Sequence, residues 1–215
     1  MHSVNSYPVR GPWGNASYPG NCTGHLLIDL IRFYRPRSVA DPAEGSGTSR
    51  DVCKELSVPY YGFDLREGFN LGVTPLVAVL PSPVDLVFFH PPYYRIVPYS
   101  GKVWGKEPNP ADLSHEESWG RYLFRLMHMV EHARTALTES GHLAVLIGDV
   151  RQAGSYYSAQ AAFFRWFQPH EIDSLIIKTQ HNVRSEGKDY ARPLIRIMHE
   201  YCLVLRAARR GGSHG

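Results

Sequence analysis

Cysteine is scarce in this chain, and long apolar runs are absent. The three cysteines, Cys22, Cys53 and Cys202, form no Cys-X-X-Cys pair, so their spacing predicts neither a zinc site nor a disulfide framework. No apolar stretch approaches the ~20 residues that cross a bilayer, and the first 20 residues lack the apolar centre of a signal peptide. We therefore expect a soluble, cytoplasmic protein with no metal.

Net charge and internal repetition are also small. The sequence has 23 Lys and Arg against 20 Asp and Glu, a formal net charge of +3, and no internal repeat. This balance permits a polyanionic partner but does not require one. With 215 residues, 43% of them hydrophobic, the chain can build one sizeable core. We predict a single domain over residues 1–206, with an irregular N-terminal arm at 1–23 and a disordered tail at 207–215.

Hydrophobic periodicity predicts alternating helices and strands. The period of the apolar residues switches between 3.6 and 2 along the chain, and residues 94–113 have neither. The order predicts an α/β fold with a mostly parallel sheet, a C-terminal antiparallel hairpin, and ligands at the carboxyl edge of the sheet. The predicted helices are His25–Tyr34, Thr48–Leu56, His115–Glu139 and Ser158–Phe167, and the predicted strands are Ser38–Asp41, Tyr60–Asp64, Val84–Phe89, His142–Ile147, Ile172–Lys178 and Ile195–Leu205.

A glycine-rich segment, Asp-Pro-Ala-Glu-Gly-Ser-Gly-Thr, joins the first of these strands to a helix. Glycines there let the backbone approach a ligand closely, and a helix N-terminus offers free N–H groups. The segment is neither a Walker phosphate loop nor a Gly-X-Gly-X-X-Gly turn. The alternative interpretation is an ordinary strand-to-helix turn capped by Ser or Thr.

Asp64 ends the next predicted strand, about twenty residues beyond the glycine turn. A carboxylate at that place can hold a ribose diol through charge-assisted hydrogen bonds. Taken alone, Asp64 is more typical of a solvated loop carboxylate, and its spacing after the glycine turn is what favours a ribose contact.

A third segment, His90-Pro91-Pro92-Tyr93, follows a short apolar strand. Consecutive prolines make a stiff exit, fix the direction of their carbonyl groups and present Tyr93 above the strand end. A planar base could stack there. The alternative is a rigid strand terminator surrounded by core aromatics.

In this order, the three motifs resemble the amino-methyltransferases of DNA, which modify adenine N6 or cytosine N4. The similarity reaches back to the segment 18–23 before the first helix and forward to 147–151, 156–157, 180–182 and 199–201, so it covers most of the chain. It implies a Rossmann-like fold that binds S-adenosylmethionine.

Carried over position by position, the resemblance implies three groups of residues. Tyr18 and Asn21, in an arm that closes over the cofactor, would contact its methionine end, and Asp64 would bind its ribose. The catalytic motif would be His90, Pro91, Pro92 and Tyr93. The remaining residues of the S-adenosylmethionine site would be Asp41, Pro42, Ala43, Gly45, Ser46, Gly47 and Thr48.

His90 departs from the family pattern, which usually has Asp, Asn or Ser at this position. There the side chain and the following proline carbonyl accept hydrogen bonds from the target amine. A neutral histidine can still accept one, but protonation near its ordinary pKa of ~6.5 would replace the acceptor by a donor. We predict that activity falls as the pH drops through the pKa of His90, and that a His90→Asn variant lacks this fall. The choice between adenine and cytosine stays open.

Chemistry on a duplex base requires that the base be flipped out of its stack, and Tyr93 is the candidate on which it would stack. Basic and aromatic side chains in the loop and near the C-terminus are candidates for DNA contact: Tyr94, Lys102, Arg184, Lys188 and Arg192. We also consider a homodimer and a restriction or specificity partner. Two other functions remain open: an RNA or small-molecule amine methyltransferase, and a catalytically silent subunit that binds nucleic acid.

Overall fold

A mixed β-sheet forms the centre of the computed structural model, which describes residues 1–181 and 194–208. The bounds of its elements follow in chain order: β1 (Val4–Ser6), α1 (Gly24–Tyr34), β2 (Val39–Asp41), α2 (Thr48–Glu55), β3 (Tyr60–Gly62), β4 (Val84–Phe89), α3 (Trp119–Arg134), β5 (Leu137–Ile147), β6 (Val150–Gln152), β7 (Ser155–Tyr157), α4 (Ala159–Trp166), β8 (Ile172–Thr179) and β9 (His199–Arg206).

Within the described residues the sheet has seven strands in the order β1-β8-β9-β5-β4-β2-β3, and β6 and β7 form a separate hairpin. Neighbouring strands run parallel except where β9 pairs with β5 and with β8. The expected mostly parallel sheet with a C-terminal antiparallel hairpin is therefore confirmed.

Helices cover both faces of the sheet because its central strands are apolar on both sides. On β4, Leu86 and Phe88 pack with residues of α1 and α2, whereas Val87 and Phe89 pack with residues of α3 and α4. All four side chains are 0 to 1% exposed. Strands buried on both faces are typical of doubly wound, Rossmann-like sheets, and this architecture brings the ends of β2, β3 and β4 together.

The boundary between α3 and β5 differs from the sequence prediction, which continued the helix to Glu139. The helix ends at Arg134, and β5 begins at Leu137. Leu137 satisfies the helical period, but it pairs with Val84 of β4. The buried Arg134 also donates hydrogen bonds to the Arg206 carbonyl oxygen, at 3.2 and 3.1 Å. Tertiary pairing has overridden the local pattern here.

Three smaller differences concern short elements. The arm is not irregular throughout, because Val4–Ser6 adds an edge strand parallel to β8. The hairpin of β6 and β7 was not predicted; it turns at Ala153 and Gly154, which both have positive φ. The last strand begins at His199, not Ile195. Of the predicted tail at 207–215, the residues beyond position 208 lie outside the described part of the chain.

None of the helices in the described parts of the chain is long and apolar enough to span a membrane. In the same residues, no group of three or more His, Cys, Asp or Glu side chains is arranged to hold a metal ion.

Candidate functional site

A cavity of about 890 Å³, a volume that includes the open space at its mouth, lies at the carboxyl ends of β2, β3 and β4. The glycine turn follows β2, Asp64 follows β3, and His90 follows β4. Parallel strands in a doubly wound sheet bring such segments to one edge. All three predicted motifs therefore meet at one cavity.

The glycine turn is organised by the buried carboxylate of Asp41. One of its oxygens accepts a hydrogen bond from the Ala43 N–H at 2.9 Å, and the other accepts one from the Ser49 hydroxyl at 2.6 Å. Gly47, with φ of 85°, is the N-cap of α2, and a Cβ placed there would collide with the Arg50 guanidinium. The left-handed φ favours glycine at this turn, and α2 has no side-chain cap. This observation does not support the alternative of a Ser or Thr cap.

Thr48 leaves a hydroxyl group at this turn without a partner. Its Oγ1 is buried and has no hydrogen bond in the described residues, and Thr48 lines the cavity. An unpaired buried hydroxyl costs about 1–3 kcal/mol. The atom is enclosed beside Gly14 of the arm and is not open to the cavity.

Burial raises the pKa of Asp41 to about 7, against the lowering effect of its two hydrogen bonds. Because the folded pKa lies above that of the unfolded chain, ionised Asp41 destabilises the fold above pH 7, and the effect vanishes below about pH 4. We expect Asp41→Asn to raise the melting temperature of the ligand-free protein at pH 8 by roughly 10 °C, given a pKa raised from 3.8 to about 7, ~1.4 kcal/mol per pKa unit and roughly 2–4 °C per kcal/mol for a chain of this size. Calorimetric melting at pH 8 and pH 4 checks this, and a gain of equal size at both pH values would contradict it.

Asp64 is 8% exposed and faces both the cavity and the glycine turn. Its carboxylate accepts hydrogen bonds from the Gly45 N–H and the Arg66 N–H, both at 2.8 Å. Each carboxylate oxygen can accept a second hydrogen bond. Asp64 therefore holds the turn and retains acceptor capacity for a ligand diol.

The N-terminal arm and the loop 94–113 meet over the cavity. The ring of Tyr18 stacks on that of Tyr99, with 6.1 Å between the ring centroids, and the Tyr99 hydroxyl leaves no room for a side chain at Gly20. The loop is tied internally by Ser100, whose N–H and hydroxyl both donate to one carboxylate oxygen of Asp112. The two segments form a roof over the cavity.

Asn21 lines the cavity, but its side chain is engaged within the arm. It accepts a hydrogen bond from Arg10 Nε at 3.0 Å and donates one to the Asn15 carbonyl at 2.6 Å. Its contribution to the site in this structure is to shape the arm.

His90 stands at the end of β4 with its ring largely enclosed. Its Nε2 lies 2.8 Å from the Tyr93 hydroxyl, which in turn donates to Glu200 at 2.9 Å. Burial lowers the pKa of His90 to about 4, although the Glu200 carboxylate acts in the opposite direction. The ring is therefore neutral at physiological pH, and its pKa lies well below the ~6.5 of an unperturbed histidine.

Most of the predicted cofactor and catalytic residues line the cavity, and three do not. Gly47 only shapes the turn, Pro91 is buried, and the Tyr93 ring lies against Gly148, where an added Cβ would come within 2.7 Å of it. The predicted residues that do line it are Tyr18, Asn21, Asp41, Pro42, Ala43, Gly45, Ser46, Thr48, Asp64, His90 and Pro92.

The predicted DNA contacts have three different outcomes. Tyr94 is 4% exposed and packs among Trp119, Tyr122 and Tyr157, so a contact with nucleic acid is not supported for it. Lys102 is exposed on the roof loop. The remaining three, Arg184, Lys188 and Arg192, lie outside the described residues.

Sequence reasoning missed part of the cavity wall and a buried ion pair beside it. Asp112 lines the cavity from the roof loop, together with Tyr99 and Trp104, two aromatic residues of the loop whose basic and aromatic side chains were expected to contact DNA. Lys178 pairs with Glu200 across β8 and β9. The available signal was a charged residue next to the apolar run of each strand, Lys178 after residues 175–177 and Glu200 before residues 202–205, because charges are rarely buried unless paired.

Comparisons with known proteins give only distant structural likenesses. No protein-family pattern and no curated protein matches the chain. An rRNA methylase from Streptococcus thermophilus is 14% identical with a TM-score of 0.47, over 85% of this chain and 95% of that one. TrmN from Thermus thermophilus is 15% identical with a TM-score of 0.46, over 88% of this chain and 50% of its own. A provisionally named DNA modification methylase from Thermus thermophilus, complexed with S-adenosyl-L-methionine, is 21% identical with a TM-score of 0.41. The match covers 68% of this chain and 55% of that one. Likeness at this level does not bear on the substrate of this chain.

Proposed function

We propose that this protein is an S-adenosylmethionine-dependent methyltransferase that methylates the exocyclic amino group of adenine or cytosine in DNA. The observation that carries the proposal is the convergence, on one cavity, of a glycine turn and Asp64 on one side with the neutral His90 on the other. The first group suits a nucleoside cofactor, and the second suits an amine.

The charge of the cavity favours a cationic cofactor over a phosphate-bearing one. In the described residues, its lining includes Asp41, Glu44, Asp64 and Asp112 but no Lys or Arg. Phosphate sites are usually lined by cations or by free backbone N–H groups, and here the Gly45 N–H already donates to Asp64. S-adenosylmethionine carries a sulfonium and an ammonium group, and when bound it supplies an electrophilic methyl group.

The cradle also offers this cofactor a polar partner and a cover. Asp64 has acceptor capacity for ribose hydroxyls, because each of its oxygens accepts one hydrogen bond from the protein and can accept a second. Tyr18 closes the site from the arm, and its ring lies 3.3 Å from the place that a Cβ on Gly45 would occupy.

On the substrate side, His90 is an acceptor that is free to meet a hydrogen of an amino group, because the ring is neutral and can accept one hydrogen bond. The Pro92 carbonyl is already occupied by the Tyr122 hydroxyl and the Tyr94 N–H, and Pro91 is buried and does not line the cavity. A hydrogen bond from the amine to His90 orients the nitrogen lone pair without any protein nucleophile.

The assignment to DNA rests on the order of the three motifs. A duplex base would have to be flipped into the cavity, at a cost of a few kcal/mol. Arg95 and Lys102 are exposed on the loop 94–113, part of which lines the cavity, and in this proposal they hold the phosphates beside a flipped nucleotide.

The test is product analysis. Purified protein is incubated with S-adenosylmethionine and with unmethylated duplex DNA, single-stranded DNA or RNA, and nucleosides are quantified by mass spectrometry. N6-methyladenine or N4-methylcytosine from DNA establishes the reaction and identifies the base. Product from RNA alone assigns the activity to RNA, and cofactor binding by calorimetry without any product indicates a silent subunit.

The low pKa of His90 changes the pH dependence that its residue type suggests. We expect the ratio of the wild-type rate to that of His90→Asn to stay level from pH 8 to about pH 5, and to fall only near pH 4, where His90 becomes protonated. Dividing one rate by the other cancels the effect of every group that titrates in both proteins, including Asp41. Steady-state rates across this range measure it, and a fall of the ratio centred near pH 6.5 would refute the lowered pKa of His90.

A further inference from the structure

A chain of hydrogen bonds runs from His90 away from the cavity into the sheet. His90 Nε2 contacts the Tyr93 hydroxyl, Tyr93 contacts Glu200, and the Lys178 ammonium donates to the second oxygen of Glu200. Lys178 and Glu200 face each other in the register of β8 and β9 and are 8% and 7% exposed. We call these four residues the buried relay.

The chemistry of the groups fixes the direction of every hydrogen bond in the relay. An ammonium only donates, and an ionised carboxylate only accepts. The Tyr93 proton must therefore point to Glu200, which leaves the Tyr93 oxygen as the acceptor for His90. His90 Nε2 must then carry the proton of the neutral ring, and Nδ1 is left with a free lone pair.

The surroundings of Glu200 and Tyr93 produce the charge states that this order of hydrogen bonds requires. Although burial acts to raise it, the pKa of Glu200 is lowered overall by the Lys178 ammonium and by its hydrogen bonds. Burial and the Glu200 charge raise the pKa of Tyr93 well above its ordinary value. Glu200 is thus ionised and Tyr93 keeps its proton.

The unprotonated nitrogen of His90, Nδ1, is free to bond a ligand in the cavity. His90 lines the cavity, and no described residue makes a hydrogen bond to its Nδ1. We infer that Lys178, Glu200 and Tyr93 are positioning residues that hold His90 in its Nε2–H tautomer and so present Nδ1 as the acceptor for the substrate amino group. This inference rests on the proposed function, because it gives a role to the unusual histidine in that same site.

Glu200→Gln tests the direction of the relay with little change in shape. A glutamine would turn its carbonyl oxygen toward Lys178 and its amide N–H toward Tyr93, because Lys178 cannot accept a hydrogen bond. Tyr93 would then donate to His90 Nε2, and the ring proton would move to Nδ1. The cavity would face a donor instead of an acceptor, and we expect the methylation rate to fall about 100-fold, the usual effect of losing one preorganised hydrogen bond.

Two further variants separate this effect from simple damage. Tyr93→Phe keeps the ring and removes the hydroxyl, so His90 is free to populate both tautomers, and the rate should fall less than in Glu200→Gln. Glu171→Gln is the matched control, since Glu171 also sits in an ion pair with a buried partner, Arg134 at 3.0 Å, but does not line the cavity. It should keep the wild-type rate.

The tautomer can be read directly, without activity, by ¹⁵N NMR of histidine-labelled protein. The His90 signals are identified by their absence from His90→Asn, and the protonated and unprotonated ring nitrogens of a neutral imidazole resonate far apart. We expect the proton on Nε2 in the wild type and in Glu171→Gln, on Nδ1 in Glu200→Gln, and on both in Tyr93→Phe.

A proton on Nδ1 in the wild-type protein would overturn the inference whatever the activity. An Nε2–H ring that persists in a folded Glu200→Gln variant would overturn it as well. If the tautomers change as expected but no substrate is methylated, the relay stands and the proposed function fails, so the two results are distinguishable.

Discussion

Replacing His90 by alanine is expected to lower the rate of methyl transfer about 100-fold or more, the usual effect of losing one preorganised hydrogen bond, while the affinity for S-adenosylmethionine stays unchanged. His90 directly follows β4, and its polar side chain lines the substrate side of the cavity. Alanine removes the acceptor for the target amine but leaves the glycine turn and Asp64 untouched. The loss should therefore appear in kcat and not in cofactor binding.

A second variant, His90→Asn, tests whether the lost acceptor is the cause. His90→Asn keeps a neutral oxygen acceptor and should retain far more activity than His90→Ala at pH 7 to 8. His142→Ala is a suitable control, because His142 is also half-buried but lies beside Asp173 and does not line the cavity. Rates with saturating cofactor, together with calorimetric binding of S-adenosylhomocysteine, provide the two readouts. Equal rates for His90→Ala and the wild type would remove His90 from the reaction.

The convergence of the motifs was predictable from sequence because parallel topology forces it. Asp41, Asp64 and His90 each follow an apolar strand, and alternation with helices indicates that those strands run in the same direction. Their ends must then share an edge of the sheet. The short, strongly apolar strand before His90 was predicted at its actual bounds, Val84–Phe89.

Features that depend on distant pairing were not predictable in this way. The end of α3 was misplaced since Leu137 fits a helix or a strand, and only its pairing with Val84 decides between them. The ordinary pKa assigned to His90 was also wrong, because it reflects the residue type and not its enclosure. Nothing near His90 in the sequence points to Lys178 or Glu200, which reach it only through the register of the C-terminal hairpin.

Asp64→Ala is expected to weaken the binding of S-adenosylmethionine about 10- to 100-fold. A charge-assisted hydrogen bond contributes roughly 1.5–3 kcal/mol, and each 1.4 kcal/mol is a factor of ten in affinity. Because the Asp64 carboxylate also holds the Gly45 and Arg66 N–H groups, its removal loosens the turn as well as the ribose contact. Stability and affinity therefore have to be measured separately.

Asp51→Ala is the matched control for the structural part of the effect. Asp51 also accepts a backbone N–H, that of Gly14 at 2.9 Å, but it does not line the cavity. Both variants should lose some thermal stability without ligand, and only Asp64→Ala should also lose the increase in melting temperature that S-adenosylhomocysteine produces in the wild type.

A ligand analogue isolates the ribose contact from the effect on the turn. S-adenosylhomocysteine and its 2′-deoxy counterpart should differ in affinity for the wild-type protein and for Asp51→Ala, but should bind almost equally to Asp64→Ala. This is a double-mutant cycle with one change made in the ligand, and its coupling energy reports the hydroxyl–carboxylate interaction alone. If Asp64→Ala still discriminates between the two ligands as strongly as the wild type, Asp64 does not bind the ribose, and its role is confined to holding the glycine turn.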